Sequence, residues 1–321
     1  MLKDKKVVVT GGAGFVGSHL CEELITLGAN VISIDNYSAG KEQNLQHLTK
    51  YPNFTALNID VCDASHIDEL FENVDTVFHN AASKKNICLL NPHKDLDVNA
   101  GGTLNLLNFA KKHNVRKFIH ASTGSVYGEP TVFPTDETHP LRPVSYYGVS
   151  KLAGERYVDV FHRLYGLNTT ILRYFHVYGP RQESNEFGGV VSIFLRNIIE
   201  NKNLMVFGDG TQIRSFTWVK DLVNANIQAA TNDISAGKVY NAASGISVSI
   251  NELAERLVAM MGAGNKVDIV HGDPLIGDIM NFDISNNAIC SDLKIDFQKD
   301  FWGTMQATID DFLDYFEKFH N

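Results

Sequence analysis

Two side chains that can take part in proton transfer stand four residues apart, at Tyr147 and Lys151. Ser145 is a residue type that caps helices, and the apolar periodicity from Tyr146 to about Tyr165 predicts a helix with both side chains on one face. A tyrosine with an ordinary pKa of about 10 is a poor base at neutral pH, and a nearby ammonium stabilises the tyrosinate. The pair is therefore a candidate general base.

A strand, a glycine-rich turn and a helix open the chain. Val7-Val8-Val9 is a short β-branched run, the motif Gly11-x-x-Gly14-x-x-Gly17 follows it, and residues 18–27 have helical periodicity. Glycines permit a tight turn and close approach of the backbone to a pyrophosphate, which the free N–H groups of the helix can bind. This stretch is predicted to bind a dinucleotide.

An acidic residue follows the next predicted strand, residues 31–34, roughly twenty residues after the glycines. This residue, Asp35, is placed to accept hydrogen bonds from an adenosine ribose and to repel a 2′-phosphate, so NAD is favoured over NADP. Directly after it, Tyr37 and Lys41 repeat the Tyr-x-x-x-Lys spacing. Because they lie on the adenosine side, we interpret this second match as accidental.

Two further strand edges carry polar residues. Residues 58–61 place Asp60 to meet an adenine amino group, and residues 74–79 are followed by small residues and by Lys84. Small residues let a cofactor lie close, and Lys84 can reach a ribose hydroxyl or a phosphate. A solvated loop is the alternative interpretation of this lysine.

A fifth predicted strand, residues 116–121, leads into Thr123. Ligands of a doubly wound sheet bind at the carboxyl ends of its strands. Tyr147 lies 24 residues after Thr123, and the proline-containing loop between them can return the chain to the same cleft. The alternation of strands and helices predicts a parallel sheet with right-handed crossovers.

Composition excludes several classes of protein. A chain of 321 residues suggests two lobes, and its net charge of −9 argues against a nucleic-acid or anionic-membrane surface. The four cysteines form no Cys-x-x-Cys pair and the histidines no paired spacing, which indicates a reducing compartment and no metal. The apolar run near the start is too short for a signal peptide, and no stretch could span a membrane, so a cytoplasmic protein is expected.

Taken together, the motifs resemble the extended short-chain dehydrogenase/reductases, specifically their nucleotide-sugar epimerase/dehydratase group. The likeness covers about 280 of the 321 residues. It is carried by Gly11-x-x-Gly14-x-x-Gly17, Asp35, His79-Asn80-Ala81-Ala82, Asn99, Gly102-Thr103, Thr123 and Tyr147-x-x-x-Lys151, and later by residues 173–180, 208–210, 214–216, 219–221 and 240–241.

The resemblance implies an α/β fold: a doubly wound parallel sheet of the Rossmann type with a smaller C-terminal substrate-binding α/β lobe. Residues 1–173, with 215–243 returning to them, would form the NAD-binding domain. Residues 174–214 and 244–321 would bind the nucleotide sugar. The resemblance also implies a homodimer through helices 101–112 and 146–165.

Roles for individual residues follow from the same resemblance. Thr123 would hydrogen-bond the sugar hydroxyl, Tyr147 would be the base, and Lys151 would bind the nicotinamide ribose and lower the pKa of Tyr147. The implied cofactor contacts are Gly11, Gly14, Phe15, Val16, Asp35, Asn36, Asp60, Val61, Ala81, Ala82, Lys84, Asn99, Ser122, Tyr147, Lys151 and Tyr174. The implied substrate contacts are Lys84, Thr123, Ser125, Tyr147, His176, Val190, Arg214 and Asp278.

The choice within the group depends on two positions. Sugar-nucleotide dehydratases and UDP-glucuronate decarboxylases usually carry an acidic residue where this chain has Ser125, and glucose dehydratases add an aspartate at Gly124. Elimination needs groups that move the C5 proton and protonate the departing hydroxyl. Lys84 also resembles a lysine of UDP-galactose 4-epimerases. The sequence therefore favours an NAD-dependent NDP-sugar 4-epimerase with a 4-keto intermediate; a dehydratase using His79 or Cys88 stays an alternative.

Other departures and alternatives concern the substrate and the class of protein. His176 stands where the group commonly has asparagine, and Leu275 where an arginine meets the diphosphate; Arg214, Arg181 or His176 are candidates to replace it. A 4-keto-sugar reductase would consume NADPH, against which Asp35 argues. A non-catalytic NAD-binding regulator is a further alternative, although it would not need Thr123, Tyr147 and Lys151 together.

Overall fold

Twelve strands and eleven α-helices make up the parts of the chain that the computed structural model describes, namely residues 2–83, 85–185, 188–275 and 278–320. The strands are β1 (Lys6–Thr10), β2 (Asn30–Asp35), β3 (Phe54–Asn58), β4 (Thr76–His79), β5 (Lys117–Thr123), β6 (Thr169–Tyr174), β7 (Val177–Tyr178), β8 (Leu204–Phe207), β9 (Ile213–Trp218), β10 (Lys238–Ala242), β11 (Ile246–Ser249) and β12 (Ile269–Gly272).

The α-helices connect and cover these strands. They are α1 (Phe15–Thr26), α2 (Gln43–Gln46), α3 (Lys85–Leu90), α4 (Pro92–Leu96), α5 (Thr103–Lys112), α6 (Tyr146–Tyr165), α7 (Val190–Ile199), α8 (Val219–Thr231), α9 (Ile250–Met260), α10 (Asn287–Leu293) and α11 (Phe301–His320). None of the helices in the described ranges is both long and apolar enough to cross a bilayer.

Seven parallel strands form the central sheet, in the spatial order β3-β2-β1-β4-β5-β6-β10. Successive side chains of a strand point to opposite faces. In β1, Val7 and Val9 pack with α1, α8 and α10, whereas Val8 packs with α5 and α6. Both faces of the sheet are therefore covered, which explains the continuous apolar runs in its strands. The predicted doubly wound α/β fold is confirmed.

The smaller lobe has its own hydrophobic core. Strands β11, β9 and β7 form one small sheet, and β12 pairs with β8 in another. Helices α7, α9 and α11 pack on them through buried side chains such as Phe194, Leu253 and Phe312. Its sheets and the central sheet are separate hydrogen-bonded units, and a cleft can form where the two lobes meet.

The packing departs from the predicted domain boundaries in two places. Strand β9, whose residues 215–218 were expected to return to the first domain, pairs with β7 and β11 of the smaller lobe. Helix α10, expected in the second domain, packs through Ile289 and Leu293 into the core beside β10 and α8. Each segment belongs to the lobe whose core buries its apolar side chains, whatever its position in the chain.

Several element bounds also differ from the predicted ones. Strand β3 ends at Asn58, so Asp60 lies beyond the strand, and β5 continues through Thr123. The predicted helix from Asn99 begins with a π-helical turn, Asp97–Gly102, before α5. Bulges of this kind often occur at functional sites in helices.

Candidate active site

The glycine turn between β1 and α1 has the shape of a phosphate cradle. Gly11 has a φ of +67°, and a Cβ atom there would lie 2.7 Å from the backbone nitrogen of Ala81. A Cβ atom on Gly17 would lie 2.0 Å from the carbonyl oxygen of Gly11. Helix α1 begins at Phe15, and no side chain caps its N-terminus at Gly14. Its first N–H groups are thus available to an anion.

Asp35 is held at the end of β2 by backbone donors. Its Oδ2 accepts a hydrogen bond of 3.0 Å from the nitrogen of Ala13, and its Oδ1 accepts one of 2.8 Å from the nitrogen of Tyr37. Burial raises the pKa of this carboxyl, and the backbone hydrogen bonds oppose that shift. Tyr37 lies outside any helix with a φ of +56°, so the second Tyr-x-x-x-Lys match does not form a helical pair.

A cavity of about 330 Å³ runs from this turn to α6. The predicted cofactor residues that line it are Gly11, Gly14, Phe15, Val16, Asp35, Asn36, Asp60, Val61, Ala81, Ala82, Ser122, Tyr147, Lys151 and Tyr174. Asn99 does not line the cavity. Lys84 lies outside the described residues.

Asn99 instead acts behind the cavity wall. It is fully buried; its Oδ1 accepts a hydrogen bond from the nitrogen of Ser83, and its Nδ2 donates to Asp95 at 3.0 Å and to the Ser150 hydroxyl at 2.9 Å. Ser150 in turn donates to the carbonyl oxygen of Tyr147. The asparagine therefore ties the chain after β4 to the first turn of α6.

Two orphaned polar atoms in the cavity wall test whether a dinucleotide fits. The Nδ2 donor of Asn80 and the Oε1 acceptor of Gln182 are buried and have no hydrogen-bond partner among the described residues. Buried polar atoms of native proteins are nearly always paired. A bound molecule with both donors and acceptors, such as NAD, would satisfy them, and the glycine cradle would admit its pyrophosphate.

The predicted catalytic residues meet at one end of this cavity. Ser145 caps α6 as predicted, accepting a hydrogen bond of 3.1 Å from the nitrogen of Gly148. Thr123 lies close enough to Tyr147 for its side chain to lower the pKa of that phenol. Lys151 is buried, and its Nζ donates to the carbonyl oxygen of Ala121 at 2.5 Å.

The pKa of Tyr147 is raised to about 12, whereas the sequence predicted that Lys151 would lower it. Burial is the largest cause of the shift, the Asp95 carboxylate adds to it, and the hydrogen bond from Thr123 opposes it. Burial also lowers the pKa of Lys151 to about 8, against the attraction of Glu155 and Asp95. Desolvation of the phenolate thus outweighs the i, i+4 neighbour that the sequence makes visible.

A buried ion pair lies beneath the cavity residue Ser122. Arg173 and Glu155 are both almost fully buried and pair at 2.8 Å. Glu155 also accepts a hydrogen bond of 2.5 Å from the Ser122 hydroxyl, which lines the cavity, and Arg173 donates to the Tyr127 hydroxyl at 2.7 Å. The pair therefore connects the carboxyl ends of β5 and β6 to α6.

Two of the predicted substrate residues, Arg214 and Asp278, do not line the cofactor cavity and bind each other. Arg214 donates to both carboxylate oxygens of Asp278 at 2.8 Å and to the carbonyl oxygen of Ile279 at 2.6 Å. Arg181, a candidate for the missing diphosphate arginine, pairs instead with Glu22 of α1. The Arg214 guanidinium is therefore already hydrogen-bonded to acceptors of the protein in this structure.

Of the remaining substrate positions, Ser125 lies beside Thr123, and His176 and Val190 lie in the smaller lobe. Ser125 donates its backbone nitrogen to the Thr123 hydroxyl at 3.2 Å. The ring of His176, in an unusual backbone conformation with φ of +28°, stands edge-on to the rings of Phe216 and Phe282. Val190 is the first residue of α7.

Several cavity residues were not predicted from the sequence. They include Asn80, Ser83, Lys94, Gln182 and Glu183. Asn80 lies inside a motif that the analysis had recognised, so its neighbours gave a signal. Gln182 and Glu183 belong to the smaller lobe, and no spacing in the sequence connects them with a cofactor.

Buried histidines lie behind the cavity. His79 is hydrogen-bonded through Nδ1 to the Thr10 hydroxyl at 2.8 Å and through Nε2 to the Thr103 hydroxyl at 2.9 Å. His120, its neighbour across the β4–β5 ladder, is fully buried with no partner for either ring nitrogen among the described residues. Burial lowers the pKa of His79 to about 3 and that of His120 well below its ordinary value, so both are neutral.

These two histidines predict a loss of stability in acid. The unfolded chain binds a proton on each near pH 6.5 and the folded chain does not, so stability falls as pH decreases below that value. Each contributes up to about 1.4 kcal/mol per pH unit. We expect His120→Met to reduce the slope of unfolding free energy against pH by that amount, measured by urea unfolding between about pH 4.5 and 5.5. His93→Asn, at an exposed site, should leave the slope unchanged; an equal slope in both variants would contradict the prediction.

A metal centre is not evident: across the described ranges, no three His, Cys, Asp or Glu side chains gather where they could hold an ion. The four cysteines are not joined in disulfides. Neither dehydration candidate, His79 or Cys88, lines the cavity. Both are fully buried.

Comparison with known proteins identifies relatives of the whole chain. Residues 7–243 match the model of the NAD dependent epimerase/dehydratase family. A putative UDP-glucose 4-epimerase of Methanocaldococcus jannaschii is 37% identical over 276 residues, which is 85% of this chain and 87% of the relative.

Solved structures give the same result. A UDP-N-acetylglucosamine 4-epimerase from Methanobrevibacter ruminantium, in complex with UDP-N-acetylmuramic acid, superposes with a TM-score of 0.92 at 33% identity, over 98% of this chain and 99% of that one. A UDP-glucose 4-epimerase from Thermotoga maritima, with UDP-glucose, superposes with a TM-score of 0.91 at 34% identity, over 97% of this chain and 99% of that one.

Proposed function

This chain belongs to the NAD-dependent epimerase/dehydratase family, and we propose that it is a 4-epimerase of a UDP-hexose or a UDP-N-acetylhexosamine. A UDP-N-acetylglucosamine 4-epimerase and a UDP-glucose 4-epimerase are each about one third identical to this chain over nearly its whole length. The proposal assigns the first lobe to NAD and the smaller lobe to the nucleotide sugar.

One observation carries the choice of epimerisation over dehydration. A Cβ atom on Gly124 would lie 2.2 Å from the ring of Phe175, so the aspartate that glucose dehydratases have there cannot be accommodated unless Phe175 moves. Ser125, at the other diagnostic position, cannot act as a carboxylate. The wall beside Thr123 thus lacks the acid and base that elimination needs.

In the proposed mechanism the side chains of this chain move one proton and hold the sugar. NAD held by the glycine turn, Asp35 and Lys151 would supply the acceptor and donor of the C4 hydride and a positive charge in the cavity. The Tyr147 oxygen takes the proton of the sugar O4 hydroxyl and later gives it back. Thr123 donates to or accepts from that hydroxyl and keeps the phenol oriented. Lys151 supplies the positive charge that favours the tyrosinate.

The resting pKa of Tyr147 fits a group that must both take and return a proton. Burial keeps the phenol protonated when the site holds no additional cation. A cationic cofactor beside it would shift the equilibrium toward tyrosinate. The base would then be generated only in the complex, where the sugar hydroxyl is present.

Solution NMR of the protein with UDP-, GDP- and dTDP-hexoses in deuterated water tests the function. We expect gluco and galacto configurations to interconvert with no solvent deuterium in the product, because hydride leaves and returns without exchange. A keto or unsaturated product with deuterium at C5 or C6 would reject the epimerase in favour of a dehydratase. Oxidation of added NADPH with a 4-keto sugar would instead identify a reductase.

We also propose a homodimer through α5 and α6. Helix α6 carries four exposed side chains that are large and apolar or aromatic: Tyr157, Val160, Leu164 and Tyr165. Exposed apolar surface of this extent on one helix is typical of an interface. Light scattering should give about twice the chain mass of 35.6 kDa; a value for one chain would reject the dimer.

A cytoplasmic location is proposed from the cysteines. Four cysteines that form no disulfide, with Cys21 and Cys88 fully buried, are typical of proteins from a reducing compartment. Cell fractionation with antibody detection should find the protein with cytoplasmic markers. Recovery with an extracellular or membrane fraction would reject this location.

A further inference from the structure

A glutamine of the smaller lobe, Gln182, brings a half-satisfied side-chain amide to the wall of the cofactor cavity. Its Nε2 donates to the carbonyl oxygen of Val177 at 2.8 Å, and both residues line the cavity. Its Oε1 is buried, and no donor among the described residues reaches it. Because buried polar atoms of native proteins are nearly always paired, this oxygen points to a partner that binds in the cavity.

The hydrogen bond to Val177 fixes which way the amide faces. A carbonyl oxygen only accepts hydrogen bonds, so the amide atom next to the Val177 oxygen must be the nitrogen. A flipped amide would set two acceptors against each other. The bond lengths of the amide then keep Oε1 within about 5 Å of the Val177 oxygen. The unpaired atom is therefore an acceptor, and the partner that it lacks is a donor.

The backbone that precedes Gln182 is held against the helix that follows the glycine turn. The Pro180 carbonyl oxygen lies 2.9 Å from Nε2 of His19 on α1. The Arg181 guanidinium pairs with Glu22 of the same helix, and the Arg181 backbone nitrogen donates to a carboxylate of α11 at 3.0 Å. These contacts position the glutamine at the cavity in the protein without a ligand, so its carbonyl is preorganised to meet one.

The chemistry of a dinucleotide limits the atoms that Oε1 can meet. The pyrophosphate has only acceptor oxygens at neutral pH, so it cannot pair with this oxygen. The donors of NAD are the carboxamide of the nicotinamide, the amino group of the adenine and the hydroxyls of the two riboses. The resemblance assigns the nicotinamide ribose to Lys151. The carboxamide, the adenine amino group and the adenosine hydroxyls are left for the glutamine.

We propose that Gln182 is a cofactor-binding residue, whose side-chain carbonyl accepts a hydrogen bond from an N–H or O–H group of NAD outside the nicotinamide ribose. The proposal rests on the NAD site of the proposed function and is independent of the sugar. The smaller lobe then contacts the cofactor directly. A dinucleotide that lacks the donor is disfavoured, because it leaves a buried acceptor of the site unpaired.

A competition between NAD and four analogues tests this contact. Nicotinic acid adenine dinucleotide lacks the carboxamide N–H groups, nicotinamide hypoxanthine dinucleotide lacks the amino group, and the 2′-deoxy and 3′-deoxy adenosine forms of NAD each lack one hydroxyl. Wild type and Gln182→Met are incubated with NAD and one analogue at equal, saturating concentrations until the bound ratio is constant. Protein is then separated by gel filtration and denatured, and the released nucleotides are quantified by chromatography.

A second glutamine of the same lobe, Gln212, supplies a matched control. Its Nε2 donates to the carbonyl oxygen of Phe207 at 2.8 Å, and its Oε1 is likewise buried without a partner among the described residues. Gln212 does not line the cofactor cavity. Gln212→Met therefore removes an equivalent amide, with an equivalent bond to the backbone, away from the cofactor.

We expect the bound analogue-to-NAD ratio to rise about five-fold in Gln182→Met for the analogue that lacks the bonded donor, the scale of one hydrogen bond. That analogue identifies the donor, and Gln212→Met should match wild type with all four. Ratios within about two-fold of wild type for every analogue in Gln182→Met would overturn the proposal, since a glutamine that only holds Val177 would weaken all nucleotides alike. Wild type that retains no NAD would overturn it together with the NAD site.

Discussion

Replacing Tyr147 with phenylalanine is expected to lower kcat by at least about two orders of magnitude, the scale of a lost general base. The change removes one hydroxyl from a side chain whose ring stays packed at the N-terminal end of α6. The Thr123 hydroxyl keeps its hydrogen bond of 3.3 Å to the Ser125 hydroxyl. Fold and bound NAD should therefore be kept. Turnover of the UDP-hexose identified by NMR measures the loss.

The adjacent tyrosine supplies the control. Tyr146 is 56% exposed, so Tyr146→Phe removes the same atom one residue away from the cavity and should keep turnover within about two-fold, as surface changes usually do. Nucleotide released on denaturation should be equal in the two variants. Unchanged turnover in Tyr147→Phe would remove the phenol from the mechanism.

Replacing Arg173 with leucine is expected to destabilise the protein by about 3–5 kcal/mol. The substitution leaves the Glu155 carboxylate buried without its partner; the two side chains are 4% and 2% exposed. An uncompensated buried charge costs far more than a lost surface ion pair. Urea unfolding followed by circular dichroism measures the change in free energy of unfolding.

Two further variants separate this cause from simple loss of packing. Arg173→Leu combined with Glu155→Leu removes both charges and should recover most of the lost stability. Arg196→Leu breaks the partly exposed pair with Glu200 on α7 and should cost about 1 kcal/mol or less. If the double variant is no more stable than Arg173→Leu, burial of an unpaired charge is not the cause.

The local parts of the site were predictable because their signals lie within a few residues. The Ser145 cap and the Tyr147–Lys151 spacing belong to the first two turns of one helix, and the structure places them as predicted. The strand, the glycine turn and α1 likewise form one contiguous unit. Asp35 follows from the length of one strand-helix-strand unit.

The electrostatics of the same residues were not predictable. Lys151 was expected to lower the pKa of Tyr147, but the pKa is raised because the phenol is buried and Asp95 lies near. Asp95 precedes Tyr147 by 52 residues, and only the packing of α4 against α6 brings them together. Desolvation depends on what surrounds a group, and no local pattern records that.

Contacts between segments far apart in the chain were also not predictable from the sequence. Arg214 and Asp278 stood out as separate substrate residues, and the fold pairs them with each other. Arg181 was a candidate phosphate ligand, and the fold pairs it with Glu22 of α1. A charged side chain satisfies the nearest opposite charge, and which charge is nearest depends on how distant segments pack.

The sequence by itself determined the parallel sheet, the dinucleotide turn, the catalytic helix and, through its motifs, the family. These features depend on periodicity, glycine positions and spacings inside single elements, which are written along the chain. Tertiary structure alone decided that Asn99 ties α6 from behind the cavity, that α10 joins the first core, and that Gln182 and Glu183 of the smaller lobe line the cavity. The reason is physical: burial and charge pairing act between residues far apart in sequence, and only packing sets their distances.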